Sequence, residues 1–190
     1  MQKLVLGLGI YHKGKFQGSI DNRDTREYTL WYNMIRRCVP GGEVQQKNTS
    51  YLGCTIHQDF IHFQDFAEWC QNQIGFDKKW VLDKDIIIQG NKVYGPETCC
   101  FVPESINKML THKKKNCGDL PTGVFKGTSN FCAQVTINSK VIHLGSFTDP
   151  ISAHNAYKRA KQSAIRTKAE EFKDVLDSTV YNALLKYEIL

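Results

Sequence analysis

The spacing of apolar residues divides the chain into two runs of elements with a polar, basic stretch between them. LVLGLGIY and FQGSI, with a turn around Lys13-Gly14-Lys15, predict a strand pair at the N-terminus. In residues 24–38, DTREYTLWYNMIRRC, the positions Tyr28, Trp31, Ile35 and Cys38 fall at helical intervals. Asp24 is placed to cap that helix, Glu27 closes a capping box, and Pro40-Gly41-Gly42 ends it. YLGCTI reads as a short strand. QDFIHFQDFAEWCQN, residues 58–72, repeats Phe60, Phe63, Phe66, Ala67 and Trp69-Cys70 every three or four residues, as an amphipathic helix with an aromatic core face would.

LDKDIIIQGNKVYGPETC, residues 82–99, is an unusual mixture: acid–base–acid, three isoleucines, Gly-Asn, then Tyr-Gly-Pro-Glu and a cysteine. It predicts a hairpin over 81–102 whose start carries functional charges. A helix from Pro103 through Leu110 follows, with Pro in its first turn and Glu104 suited to the helix dipole. THKKKNCGDLP, residues 111–121, reads as a basic linker.

Residues 122–164 parse cleanly. Phe131, Ala133, Val135 and Ile137 alternate with Cys132, Gln134 and Thr136, the period of a half-exposed strand. Asn138-Ser139 makes a tight turn into KVIHLGSF, where Ile142 and Leu144 fall on the buried side and Val141 and His143 on the other. Asp149-Pro150 starts a helix whose Ala153, Ala156, Tyr157, Ala160 and Ala164 form a small-residue face for close packing on the sheet. The opposite sheet face has no partner in this segment. A further helix is expected around 169–187.

Charge sharpens this division. The net charge is +6. Residues 1–110 hold 13 Lys/Arg against 12 Asp/Glu, residues 111–168 hold 10 against 2, and residues 169–190 hold 2 against 5. The central excess, which includes Lys113, Lys114 and Lys115, suits a surface that meets phosphate. Hydrophobic content of 41% and charged content of 23% argue against global disorder. The apolar run in MQKLVLGLGI is too short for a signal peptide or a membrane span. With seven cysteines and no CxxC pair, mostly free thiols in a reducing cytoplasm are expected.

The second run is similar to a known family. GVF, FCAQVTI and KVIHLGSFTDPISAHNAYKRAK closely resemble the apetala-type DNA-binding domain of plant ethylene-response factors, also found in phage-encoded homing-type nucleases; the match covers about 45 residues. The resemblance implies a three-stranded sheet lying in the DNA major groove. By position, Phe125, Gly127, Gln134, Thr136, Val141 and His143 would face double-stranded DNA, with Lys126 and Lys140 beside them as phosphate contacts. The family often carries arginine and tryptophan there. Here only Gln134, Thr136 and His143 can read base edges, so modest sequence specificity is implied.

LDKDIIIQGNKVYGPETCCFVPESIN resembles the HNH, or ββα-metal, nuclease core. The order WYNMIRRC, YLGCTIHQDFIHFQDFAEW and then the hairpin is similar to a phage and bacterial group of HNH proteins. That resemblance implies Asp83 and Asn107 as ligands of Mg²⁺ or Mn²⁺, with Asp85 assisting the metal or a water. Lys84 stands where the family has its histidine base, and Thr98 where it has an asparagine. A lysine of ordinary pKa, about 10.4, is a poor base unless burial lowers that value. Three readings follow: Asp85 as the base, Lys84 as an electrostatic clamp on phosphate, or loss of cleavage. Cys38, His57 and Cys99 are candidates for a structural Zn²⁺.

The expected architecture is α+β: an HNH-like ββα-metal domain over 1–110, a basic linker over 111–121, an apetala-type domain of three antiparallel strands packed on a helix over 122–168, and a C-terminal helix over 169–190. The resemblances imply a metal-dependent DNA endonuclease of the homing type. The alternative is a non-cleaving DNA-binding regulator or interaction protein derived from one.

Overall fold

The computed structural model describes residues 2–111 and 120–189. The fold is α+β, in two compact units, Met1–Pro103 and Glu104–Leu190. Lys113, Lys114 and Lys115 of the expected linker, with His112 and Cys117, lie outside the described residues.

In the first unit, β1 (Gln2–Val5) and β2 (Gly9–His12) pair antiparallel. The chain reverses at Leu6-Gly7, both at positive φ, rather than at the expected Lys13-Gly14-Lys15. LVLGLGIY folds on itself because Gly7 accepts that conformation without strain. β3 (Ser19–Ile20) and β4 (Arg23–Asp24) follow, closed by Asp21-Asn22 at positive φ. α1 (Arg26–Cys38) is capped by Thr25, whose side chain accepts from the Tyr28 amide. The expected cap, Asp24, is committed to β4.

α2 (Glu43–Lys47), a 3-10 turn at Thr49–Tyr51 and β5 (Thr55–Ile56) lead to α3 (Gln58–Ile61) and α4 (Phe63–Gln71). One helix was expected over 58–72. It breaks at His62, which is extended (ψ 128°) and bridges to Ile10 of β2. Phe60, Phe63 and Phe66 still enter one core with Trp31, Met34 and Ile35, all at most 1% exposed. Each such side chain contributes about 1.5–3 kcal/mol by burial. The Trp31 indole also donates to the Phe60 carbonyl at 2.9 Å.

The stretch expected as a plain hairpin is more elaborate. β6 (Val81–Asp83) does pair antiparallel with β8 (Cys100–Val102), but between them β7 (Val93–Tyr94) pairs parallel with β5. Ile86-Ile87-Ile88 form no strand; Ile86 is buried and Ile88 is 52% exposed.

The second unit begins with α5 (Glu104–Leu110), which packs on α6 (Pro150–Glu171). The sequence reading ended the first domain seven residues later, at Leu110; buried Ile106 and Leu110 place this helix with the second unit. β9 (Val124–Lys126), β10 (Phe131–Ile137) and β11 (Lys140–Phe147) form an antiparallel sheet in the order β11-β10-β9, turning at Asn138-Ser139 as expected. Val124 and Ala133 meet Ala153 of α6, with Leu144, Phe147 and Ala156 packed around them. Asp149 caps α6 by accepting from the Ser152 amide at 2.8 Å.

Two glycines make this packing possible. Gly123 sits at φ +81°, where a Cβ would lie 2.2 Å from the Tyr157 ring of α6. Leu144 and Phe147 both pack on the core although three residues apart, which a regular strand forbids. A bulge resolves the conflict: Ala133 pairs with Gly145 but Gln134 with His143, and Gly145 takes φ +123°. Where one C-terminal helix was expected over 169–187, α6 runs on to Glu171 and a separate α7 (Ser178–Leu185) starts on the Asp177 cap.

Candidate functional site

The acidic turn of the first unit is built by its own side chains. The Asp83 carboxylate Oδ1 accepts from the amides of Asp85 at 2.7 Å and Ile86 at 3.0 Å. This Asx-type turn ends β6 after three residues and bends the isoleucine run away from the sheet. Burial pushes the Asp83 carboxyl above its ordinary range, and the two amides oppose that shift.

Lys84 is 4% exposed. Its ammonium donates to both Asp85 carboxylate oxygens at 2.8 Å and to the Asn91 carbonyl at 2.7 Å, matching its three N–H groups with three oxygens. Asn91 answers by donating from Nδ2 to the Lys84 carbonyl at 2.8 Å and to the Val93 carbonyl at 2.7 Å. Thr98 accepts from the Gly95 amide and donates to the Val93 carbonyl, closing the far end of the loop. Tyr94 is buried beneath, its ring 5.7 Å from the Lys84 nitrogen, and Arg37 reaches its hydroxyl at 3.4 Å.

Asp83, Lys84 and Asp85 thus converge. Asn107, the other expected metal ligand, lies on α5 in the second unit. Among the described residues no three His, Cys, Asp or Glu side chains are grouped to hold a metal ion. Asp83 already serves two amides through Oδ1, and Asp85 serves a buried ammonium.

The expected zinc trio is not assembled either. His57 caps α3 with Nδ1, accepting from the Asp59 amide at 3.3 Å, and its side chain is 43% exposed. Cys38 and Cys99 are buried, and burial pushes both thiols up to about 12. Cys54, Arg37, Lys84 and Cys99 all act on the Cys38 thiol. Sequence reasoning missed Arg37, Cys54, Asn91 and Tyr94 here. Only Asn91 carried a signal, the Gly-Asn pair, which was read as a loop and nothing more.

In the second unit, strand pairing defines the outward face. Phe125, Cys132 and Ser146 form one cross-strand row, Gln134 and His143 the next, Thr136 and Val141 the last. Val141 is 64% exposed and Phe125 38%. The Cys132 thiol lies 3.4 Å from the Ser146 hydroxyl. Comparison with protein-family models, curated proteins and solved structures gives no match. Lys126 ends β9 and Lys140 starts β11; they pair with Phe131 and Ile137, so by parity they belong to the side of the sheet that α6 covers and not to the rows. Both are exposed. Residues 120–168 hold seven Lys/Arg against Asp149 alone.

No helix among the described residues is long and apolar enough to cross a membrane.

Proposed function

We propose that this protein binds double-stranded DNA through the outward face of its three-stranded sheet, and that its first unit is a nuclease-like scaffold that does not cleave. The observation that carries the reading is the set of three cross-strand rows, from Phe125 to Val141, exposed except for half-buried Cys132 and Gln134, on the sheet face opposite α6. A two-stranded ribbon fits the roughly 12 Å major groove of B-DNA. The cationic excess of residues 120–168 supplies the attraction to phosphate, with exposed Lys126 and Lys140 at the strand ends as the cations available for backbone contacts.

Absence of cleavage is supported by Lys84. An ammonium with all three N–H groups engaged cannot accept a proton from water, so it does not act as the general base. It acts as an internal cation that holds the loop over residues 84–91.

The second reading is a Mg²⁺- or Mn²⁺-dependent HNH-type endonuclease of the phage homing type. The convergence of Asp83, Lys84 and Asp85 in one turn favours it. A fluorescence-anisotropy titration of duplex DNA, run beside a plasmid-nicking assay with either cation, separates the two. The proposal expects salt-sensitive binding and no metal-dependent nicking by wild type. Nicking that Asp83→Ala abolishes would establish the endonuclease.

A further inference from the structure

We infer that the sheet face selects duplex with A·T pairs in the major groove, Gln134 reading adenine and Thr136 with Val141 contacting thymine methyl groups. This rests on the DNA-binding reading above and goes beyond it by naming the bases. None of the residues in the three outward rows is an arginine or a lysine. The commonest guanine contact, a bidentate cation on O6 and N7, is therefore missing from the face. Gln134 is the one side chain there whose amide can donate to adenine N7 and accept from N6.

The next row supplies the complementary chemistry. Thr136 and Val141 are directly opposite each other and exposed, and each presents methyl groups of the kind that pack on the thymine C5-methyl. Phe125, in the row on the other side of Gln134, adds a third apolar contact. Successive rows lie about 6.8 Å apart along a strand. A base-pair step rises about 3.4 Å, so a strand laid along the groove sets adjacent rows roughly two steps apart. The face then reads an adenine with thymines about two steps away. The Ala133/Gln134 bulge keeps Gln134 and His143 in one row while Leu144 stays in the core.

The test is selection of the full-length protein on a pool of random duplexes, followed by affinity measurements on the selected site. The expected result is an enriched site with A·T pairs at that spacing. Replacing thymine by uracil, which removes only the C5-methyl, should weaken binding about fourfold per methyl buried. Replacing the adenine by 7-deazaadenine should weaken it, and Gln134→Ala should erase the preference at that position, worth roughly 5–150-fold. A G·C consensus, with His143 as the reader, or indifference to uracil and 7-deazaadenine, would overturn the inference and leave DNA binding standing. Failure to retain any duplex at low salt would overturn both.

Discussion

Asp83, which looks catalytic in sequence, also holds a turn together in place. Its carboxylate replaces the next ladder partner for two backbone amides, and burial raises its pKa in the folded state. The sign of the resulting pH dependence follows directly. Between the unfolded value, near 3.9, and the raised native value, the folded protein binds the extra proton, so this group's contribution to stability falls as pH rises through that window. Asp83→Asn keeps an acceptor oxygen and removes the buried charge. It should therefore match or exceed wild type in Tm at pH 7, with its Tm advantage over wild type growing as pH rises through that window. Asp83→Ala strands both amides and should cost about 1–2 kcal/mol at every pH. Equal losses for the two variants at pH 7 would show that the negative charge itself is needed.

At the scale of elements, local signals were legible and long-range partners were not. The Asn138-Ser139 turn, the Asp149-Pro150 helix start and the alternation through Phe131–Ile137 all appear where the sequence places them, because each depends on residues within a few positions. The break at His62 was not legible, since the helical spacing continues through it and only pairing with Ile10, far away in the chain, interrupts it. The seat of α6 on the sheet gives an element-scale prediction. Gly123→Ala must place a Cβ against Tyr157 from a left-handed backbone conformation, and strain plus overpacking should cost more than about 2 kcal/mol. Adding Tyr157→Ala should show clear coupling in a urea-denaturation cycle, because the clash vanishes and only the backbone strain remains. Strict additivity would mean that Tyr157 does not make the contact.

For the whole molecule, the charge distribution and the strand rows divide the work of binding. Lys126 and Lys140 contribute charge from the strand ends, whereas Gln134, Thr136 and Val141 contribute chemistry from the outward face. Alanine at both lysines should lower the slope of log affinity against log salt by about 1–2 and weaken all duplexes alike, leaving any base preference intact. A changed preference with an unchanged slope would reverse these roles. Titration at several salt concentrations on two duplexes measures both.

By itself the sequence determined the α+β class, the three strands with their turn and covering helix, the parity that sends Gln134 and His143 outward, and the aromatic core residues. These follow from hydrogen bonds and side-chain periodicities that close within a few residues. Only the tertiary structure decided that Asp83 caps a turn, that Lys84 is buried on Asp85 and Asn91, that Cys54 acts on Cys38, and that α5 joins α6. Burial is non-directional, so which distant surfaces meet is settled by competition among all of them, and a charged side chain's role depends on the partners that competition delivers.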